Sequence, residues 1–561
     1  MGELNTAELL IECLENEGVE YIFGLPGEEN LDILESLRNS SIQFITTRHE
    51  QGAAFMADVY GRLTGKAGVC LSTLGPGATN LMTGVADANL DGAPLVAITG
   101  QVGTDRMHIE SHQYLDLVAM FAPVTKWNTQ IVRPNNTAEI VRKAFKLAQA
   151  EKPGAVHIDL PENIAAMSIG NLKPLQQDDR EKTYASYKSI NKAAAAIAKA
   201  QKPLILVGNG AIRAQANEAL TEFVTQLNIP VANTFMGKGA VPYTHPLSLW
   251  TVGLQQRDLI SCAFDEADLV IAIGYDLIEY SPKKWNPDGT TPIIHISATP
   301  AEIDSSYIPL AEVVGDISDS LIDITKRTDR QGKLSSLATD LRGKLLDNYQ
   351  YYADDTEFPI KPQKIIYDLR QVMGSEDIVI SDVGAHKMWM ARHYHCDSPN
   401  TCIISNGFAA MGIAIPGAIA AKLVNPDKKV VAVTGDGGFM MNCQELETAL
   451  RAKTPFVTLI FNDNGYGLIE WKQLNQFGHS SFIDFGNPDF VKFAESMGLK
   501  GYRVETVADL IPTLKEALAQ DIPTVIDCPV DYKENLRFSQ ESGHLACQRS
   551  EVKGQGLEVR G

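Results

Sequence analysis

Short apolar runs alternate along the chain with longer stretches in which apolar positions recur at helical spacing. In the first part of the chain, residues 42–46, 68–73 and 95–99 are predicted strands, and residues 50–63 are a predicted helix. Strands that alternate with helices in this way are typical of parallel sheets joined by crossover helices.

The first helix carries its own start and stop signals. Asn5 and Glu8 have the spacing of a capping box, with Asn in place of the usual Ser or Thr. Gly18 follows the apolar stripe and can adopt the left-handed conformation that ends a helix.

The same alternation returns twice, so the predicted fold class is α/β with three doubly wound parallel-sheet domains. The central unit has predicted strands at 202–208, 268–274 and 293–296, and the third has them at 378–381, 402–405, 430–434, 457–461 and 524–527. Polar stretches at 166–189 and 332–360 are interpreted as linkers. The predicted domains are 1–165, 188–335 and 360–535, followed by a tail at 536–561.

The charge and composition of the chain argue against some classes of binding partner. The chain has 561 residues, with 49 Lys and Arg against 69 Asp and Glu, which gives a net charge of −20. Such a balance argues against nucleic acid and anionic membranes as partners, since both require clustered basic residues. No apolar run approaches the roughly 18 residues of a membrane-spanning helix, and the N-terminus lacks a basic, apolar leader. We expect a soluble, cytoplasmic protein.

The segment 430–467 carries the clearest chemistry. A predicted strand ends at Gly435-Asp436-Gly437-Gly438, and the next ends at an Asn-Asp-Asn-Gly turn that contains Asp463. Neighbouring parallel strands bring their carboxyl ends to one edge, so Asp436 and Asp463 are expected to share a magnesium ion beside a diphosphate. Asn442 and Glu445 have capping-box spacing and predict a helix start. The alternative is that both sequences are simple turns.

These residues resemble the fingerprint of the thiamine-diphosphate enzymes, in which Gly-Asp-Gly precedes an Asn-rich turn. Most of that family has Asn where this chain has Asp463, and the Asp matches the catabolic acetolactate synthases. The resemblance implies magnesium ligation by Asp436, Asp463 and the carbonyl of Gly465. It also implies thiamine-diphosphate contacts from Val383, Gly384, Ala385, His386, Gly435, Gly437, Gly438 and Tyr466. The third domain would then bind the diphosphate.

A second group of residues resembles the family's pyrimidine-binding domain. Glu50, in Arg-His-Glu, matches the carboxylate that activates the cofactor, although by itself it could be a solvated acid at a helix start. Pro76 and Asn80 lie in a stretch similar to the pyrimidine-side turn. Gly407 and Met411 match the segment that grips the aminopyrimidine, with Met411 as the wedge under a bent cofactor. Without the resemblance, Met411 would be an ordinary core residue of a helix.

Several stretches look like acetolactate synthase in particular. In residues 112–127, His112 and Gln113 fall at the family's active site, and 274–287 resembles the catabolic branch, which carries no FAD. The resemblance implies decarboxylation of pyruvate and transfer of the two-carbon unit to a second pyruvate, giving 2-acetolactate. It also implies a homodimer or homotetramer, since Glu50 and the metal site meet across a subunit interface in the family.

Three alternatives remain open at this point. A related decarboxylase or carboligase could use another donor or acceptor. A catalytically silent relative could serve as a binding or regulatory subunit, although Glu50, Asp436 and Asp463 argue against it. A nicotinamide dehydrogenase is supported only by Gly208-Asn209-Gly210, which lacks the third glycine of that fingerprint.

Overall fold

The protein contains three parallel six-stranded sheets in the computed structural model, which describes residues 4–177, 182–254, 258–330 and 336–536. Helices flank each sheet, so the predicted α/β class with three parallel-sheet units is confirmed. The tail after residue 536 lies outside the described residues. Where one domain ends and the next begins stays a prediction.

The first sheet has the strand order β2-β1-β3-β4-β6-β5. Its strands are β1 Tyr21–Gly24, β2 Gln43–Thr46, β3 Gly68–Ser72, β4 Leu95–Gln101, β5 Trp127–Gln130 and β6 Ala155–Pro161. The helices of this part are α1 Thr6–Asn16, α2 Leu31–Leu37, α3 Glu50–Thr64, α4 Pro76–Asp91, α5 Leu117–Phe121, α6 Thr137–Gln149 and α7 Glu162–Ala165.

The central sheet has the order β12-β11-β10-β7-β8-β9. Its strands are β7 Pro203–Val207, β8 Val231–Asn233, β9 Ser248–Thr251, β10 Leu269–Ile273, β11 Ile293–Ser297 and β12 Pro309–Val314. The helices are α8 Tyr187–Lys199, α9 Asn209–Arg213, α10 Asn217–Leu227, α11 Ser261–Glu266 and α12 Ile317–Arg327, and α13 Ser336–Tyr351 forms part of the second predicted linker.

The third sheet has the order β14-β13-β15-β16-β18-β17. Its strands are β13 Ile378–Ser381, β14 Cys402–Ile404, β15 Val430–Gly435, β16 Val457–Asn462, β17 Lys500–Arg503 and β18 Thr524–Pro529. The helices are α14 Pro362–Val372, α15 Ala385–His393, α16 Ala414–Val424, α17 Asp436–Asn442, α18 Glu445–Arg451, α19 Gly467–Phe477, α20 Phe490–Ser496 and α21 Leu510–Leu518.

One predicted helix start is confirmed and another is wrong. Asn5 caps α1, and Glu8 completes the capping box as predicted. The predicted cap at Asn442 is wrong, because Asn442 is the last residue of α17 and α18 follows from Gln444. Its side-chain nitrogen donates instead to the carbonyl of Gly412, at 2.9 Å, so the Asn442–Glu445 spacing reflects two separate tertiary contacts.

The first and third units share one hydrophobic core. Helix α3 packs against α16 so closely that a Cβ at Gly417 would lie 2.9 Å from a methyl of Val59. Ala54, Ile415 and Ile419 are fully or nearly fully buried in the same cluster. This packing fixes the start of α3 relative to the carboxyl edge of the third sheet. No helix of the described ranges has the length and apolar character needed to cross a membrane.

Candidate cofactor site

The two predicted metal ligands follow neighbouring strands of the third sheet. Strands β15 and β16 pair in parallel, with Gly435 opposite Phe461. Asp436 comes directly after β15, and Asp463 comes directly after β16. The register therefore brings the two carboxylates to the same edge, as the crossover argument predicts.

The electrostatics of this pair favour a cation. Burial, and then the neighbouring Asp436 carboxylate, raise the pKa of Asp463 to about 8. Burial also raises the pKa of Asp436, although the N–H of Gly437 donates to its Oδ1 at 2.9 Å. Neither carboxylate has a Lys, Arg or His ion-pair partner within the described ranges. Two such acids, which disfavour each other's ionised form, bind a divalent ion favourably.

Asn487 completes this corner of the site, and the sequence reading missed it. Its side-chain nitrogen lies 2.7 Å from Asp436 Oδ2 and 3.2 Å from both Asn462 Oδ1 and Asn464 Oδ1. Its own Oδ1 is buried without a hydrogen-bond partner. Asn487 lies well beyond the Asn-rich turn in the sequence, and no strand end or motif marks it.

The predicted phosphate turn opens a helix beside the carboxylates. Val383 and Gly384 lead from β13 into α15, with Gly384 as its N-cap, and Ala385 and His386 are the first two residues of that helix. His386 is buried, and a Cβ at Gly435 would lie 3.4 Å from its Nδ1. Burial lowers the pKa of His386 to about 4, so its imidazole is neutral near pH 7. The turn thus presents a helix N-terminus and an uncharged ring to the edge of the third sheet that carries Asp436 and Asp463, which is called the cation edge below. This combination suits a phosphate.

Two buried side-chain atoms at this edge, His386 Nε2 and Asn487 Oδ1, have no hydrogen-bond partner in the described ranges. The buried hydroxyl of Tyr532 lies beside them, close to the backbone of His386. Burial, and then Asp463 and Asp436, raise the pKa of Tyr532, which places its hydroxyl in the field of both carboxylates. Buried polar groups are nearly always hydrogen-bonded, so unpartnered atoms at one edge indicate a polar ligand. A diphosphate with its magnesium ion fits this set of donors and acceptors.

The glycines after β15 leave room for that ligand. A Cβ at Gly438 would lie 2.9 Å from Thr434 Oγ1 and 3.1 Å from Asp382 Oδ1. A Cβ at Gly437 would lie 2.9 Å from the ring of Tyr466. Any side chain at either position would have to displace its neighbours, so the close approach of the backbone requires glycine.

Asp382 is a second residue that the sequence reading missed. Its carboxylate accepts hydrogen bonds from the N–H of Val383 at 2.7 Å, of Gly412 at 2.8 Å and of Ala414 at 3.2 Å. Burial raises its pKa to about 6. Asp382 therefore ties the phosphate turn to the segment that contains Met411. Its place directly after β13 was the available sequence signal.

Met411 and Gly407 lie in the loop between β14 and α16. The alternative that Met411 is a core residue of a helix is wrong, because α16 begins at Ala414 and Met411 is half-buried in a turn. The N–H of Gly407 donates to Asp91, and a Cβ there would lie 2.6 Å from Asp91 Oδ1. A side chain in this loop can therefore reach a ligand, which the interior of a packed helix would prevent.

The pyrimidine-side residues gather at the starts of α3 and α4. Glu50 is the first residue of α3 and is only 7% exposed, so the alternative of a solvated acid is wrong. The side-chain nitrogen of Asn80 donates to Glu50 Oε2 at 2.9 Å. Pro76 is the first residue of α4, and a Cβ at the preceding Gly75 would lie 2.6 Å from the carbonyl of Gln113.

In the described parts of the chain, no hydrogen bond or ion pair joins Glu50, His112 or Gln113 directly to Asp436 or Asp463. His112 and Gln113 are exposed, and Gln113 has a positive φ of 57°. The chain thus presents a cation and phosphate edge on its third sheet and a buried carboxylate on its first.

A cavity of about 790 Å³ lies between the three units. Asn209, Arg213, Met236 and Ala298 line it from the central unit, and Arg62 and Cys402 line it from the other two. The segment 274–287 begins at Gly274, where a Cβ would lie 2.1 Å from the backbone nitrogen of Ala211. This contact closes the turn after β10 against α9.

Comparisons with known proteins agree with this arrangement. Three family models match in sequence: the N-terminal thiamine pyrophosphate (TPP) binding domain of the thiamine pyrophosphate enzymes at residues 4–120, their central domain at 190–324, and their C-terminal TPP binding domain at 382–528. Together they span most of the chain, and the cation edge lies in the C-terminal match.

Whole-chain relatives are acetolactate synthases by name. An acetolactate synthase of Bacillus subtilis is 37% identical over 553 residues, which is 95% of each chain. A catabolic acetolactate synthase of Raoultella terrigena is 36% identical and covers 94% of this chain and 95% of its own. A probable large subunit from Methanococcus aeolicus is 38% identical over 94% of this chain and 92% of its own. This chain therefore belongs to the thiamine pyrophosphate enzymes, in the family of the acetolactate synthases.

Proposed function

We propose that this protein is a thiamine-diphosphate-dependent acetolactate synthase, which converts two pyruvates and a proton into 2-acetolactate and carbon dioxide. The observation that carries the proposal is the pair of strand-end carboxylates, Asp436 and Asp463, beside the unpartnered His386 Nε2. The whole-chain likeness to acetolactate synthases supports the choice of pyruvate.

The residues of the cation edge would hold the cofactor by its diphosphate. Magnesium would be bound by Asp436, Asp463 and the carbonyl of Gly465. Gly465 forms an isolated antiparallel β-bridge with Asp484. The turn 383–386 and the glycines 435, 437 and 438 would contact the phosphates, with Tyr466 beside them. Bound thiamine diphosphate supplies a thiazolium carbon that adds to a 2-oxo acid and accepts the electron pair released with carbon dioxide.

Glu50 would hold the proton that the aminopyrimidine needs. A carboxylic acid in a dry pocket can share a proton with a ring nitrogen, and Glu50 is buried beside Asn80 with no basic partner in the described ranges. The exposed His112 and Gln113 would contact the substrate, since both extend from the first domain beside the Gly75 turn. Met411 would keep the cofactor bent from its place in the turn before α16.

We propose that the protein is a homodimer or homotetramer. In such an assembly the Glu50 of one subunit would serve the cofactor held by its partner, as the family resemblance implies. We also propose that the central domain holds no FAD, because 274–287 resembles the catabolic branch. An absorbance spectrum of the purified protein tests the absence of FAD directly.

The decisive experiment is incubation with pyruvate, thiamine diphosphate and magnesium, with the products identified by NMR. We expect one acetolactate and one carbon dioxide for every two pyruvates consumed. Acetaldehyde as the main product would replace the proposal with a simple decarboxylase. Consumption only when a second carbonyl compound is added would indicate a carboligase with a different acceptor.

A further inference from the structure

Residues 46–51, which lead into α3 and carry Glu50, are held by the third domain. Four side chains of the α17–α18 segment contact them, and one of these is Glu447, whose carboxylate lies 3.9 Å from the Arg48 guanidinium. Arg451 donates to the carbonyl of Thr46 at 2.6 Å, and Asn442 donates to the side chain of Gln51 at 3.3 Å. The fourth contact is the carboxylate of Glu445, which accepts from the backbone immediately before Glu50.

The carboxylate of Glu445 accepts hydrogen bonds from three separate donors. The N–H of Arg48 lies 3.1 Å from each of its oxygens, and the N–H of His49 lies 2.9 Å from Oε1. The hydroxyl of Thr448 donates to Oε2 at 2.6 Å. Glu445 is fully buried, and in the described chain its carboxylate oxygens only accept hydrogen bonds. An ionised carboxylate suits such a set, since it only accepts.

This carboxylate lies at the N-terminus of α3, where it has two effects. The first N–H groups of a helix have no partner within the helix, and a negative charge there is also favoured by the helix dipole. His49 is the N-cap residue, and its Nδ1 accepts from the N–H of Gln51. Glu445 fixes the two residues before Glu50 while His49 fixes the residue after it, so the direction of the Glu50 side chain is determined from both sides.

Gly52 shows how closely Glu445 fits against the helix. A Cβ at Gly52 would lie 2.9 Å from the Cγ, Cδ and Oε1 atoms of Glu445. The glycine therefore makes room for the carboxylate in the first turn of α3. Since α17 begins at Asp436 and α18 begins at Glu445, the elements that hold the cation ligand also hold the start of the Glu50 helix.

We propose that Glu445 is a positioning residue that sets the orientation of Glu50, and that it thereby governs the protonation of the aminopyrimidine. The inference rests on the proposed function, because it assumes that Glu50 activates the cofactor. Glu445 touches residues 48 and 49, Gly52 and Thr448, and it has no described contact with the phosphate turn. Its loss should therefore affect activation far more than cofactor binding.

The test compares Glu445→Gln with wild type in the full-length protein loaded with thiamine diphosphate and magnesium. The readouts are the Kd of thiamine diphosphate by calorimetry and the rate at which the thiazolium carbon exchanges its proton for deuterium, followed by quenched NMR. The substitution turns one acceptor oxygen into an NH₂ donor that faces backbone N–H groups. We expect exchange to slow by at least about tenfold, since small misplacements of a catalytic group have effects of that order or larger. We expect the Kd to stay within about threefold.

Glu495→Gln is the matched control, because Glu495 is an exposed residue of α20 in the same domain and its carboxylate has no hydrogen-bond or ion-pair partner in the described ranges. We expect its exchange rate to match that of wild type. Glu50→Gln provides the reference for lost activation. If Glu50→Gln slows exchange and Glu445→Gln does not, the positioning role is overturned. If Glu50→Gln also exchanges at the wild-type rate, the proposed role of Glu50 fails and this inference fails with it.

Gly52→Ala keeps the test decisive if Glu445→Gln does not fold. The added methyl must displace the Glu445 carboxylate, but the substitution removes no ionisable group from the protein. We expect slower exchange with the Kd of thiamine diphosphate again within about threefold. A wild-type exchange rate in a folded Gly52→Ala protein would overturn the proposal.

Discussion

Two clusters of carboxylates in this protein differ in whether a basic side chain of the protein pairs with them. In the first, Arg62 contacts Asp58 at 2.7 Å, Asp87 at 3.0 Å and Asp91 at 2.8 Å, and all four side chains are at most 8% exposed. In the second, burial and then Asp436 raise the pKa of Asp463, burial raises that of Asp436, and neither carboxylate has an ion-pair partner in the described ranges. One cluster contains its own cation, and the other leaves that place for a ligand.

The Arg62 cluster joins the first domain to the loop between β14 and α16, because Asp91 accepts from the N–H of Asn406 at 3.0 Å and Asp87 accepts from Ser405 at 2.7 Å. One guanidinium serves three carboxylates there, and burial raises the pKa of Asp58 and Asp87. At the edge that carries Asp436 and Asp463 the protein supplies no cation in the described ranges, so a bound divalent ion would relieve the cost of ionising both acids.

Among the substitutions that test this comparison, Arg62→Met is expected to have the largest effect, which is on the stability of the fold. Removal of the guanidinium leaves three buried carboxylates without their cation, and loss of one partner from a buried ion pair costs about 3–5 kcal/mol. We expect a marked fall in the midpoint of urea unfolding. Arg38→Met is the control, because Arg38 is 75% exposed in its pair with Glu35 and such pairs contribute less than about 1 kcal/mol. Equal midpoints for the two variants would contradict the structural role of the cluster.

Asp436→Ala should weaken cofactor binding without weakening the fold. Loss of a carboxylate ligand is expected to raise the Kd of thiamine diphosphate in the presence of magnesium by about 100-fold, or about 2.7 kcal/mol. Calorimetric titration with and without magnesium measures it. Asp521→Ala, on an exposed loop of the same domain, serves as the control. An unchanged, magnesium-dependent Kd in Asp436→Ala would rule out this aspartate as a ligand.

Asp463→Asn should have the smallest effect on binding and a distinct effect on stability. An amide oxygen can still coordinate magnesium, so we expect the Kd to change by less than about tenfold. The pKa of Asp463 is raised to about 8 in the folded protein, above the value of about 4 for an unfolded Asp.

The sign of the pH effect follows from these two pKa values. Between about pH 4 and pH 8, folded metal-free protein keeps a proton on Asp463 that the unfolded chain has lost, so its unfolding free energy falls as pH rises. Asp463→Asn should flatten that slope, and urea unfolding at several pH values in the presence of a chelator measures it. An equally steep slope in the variant would assign the pH dependence to other groups.

The position of Asp436 and Asp463 at one edge of the sheet was predictable because a rule of sheet topology applies to them. Asp436 and Asp463 each follow a strand, and parallel pairing of β15 with β16 leaves one outcome for their positions. Glu50, Pro76 and Asn80 lie at helix starts in the first unit, and the structure brings Glu50 and Asn80 into hydrogen-bond contact. Their roles came from the family resemblance, since a buried acid at a helix start has no sequence signature of its own.

Asn487 and Tyr532 were missed for a different reason. Asn487 and Tyr532 reach the cation edge from distant parts of the chain, and no periodicity relates them to Asp436. The wrong prediction at Asn442 has the same origin, because local spacing suggested a helix cap where the side chain makes a contact with Gly412. Local signals describe backbone requirements, and these contacts depend on how separate elements pack.

The sequence by itself determined the three parallel sheets and the strand ends at which the acidic residues lie, because apolar periodicity and strand register are local and nearly obligatory. Only the tertiary structure decided that Glu445 of the third domain holds the start of the Glu50 helix, and that Arg62 forms ion pairs with three acids from α3 and α4. Those contacts depend on the angle and distance at which α3 packs against α16 and α4. A single sequence does not encode that geometry in any one segment.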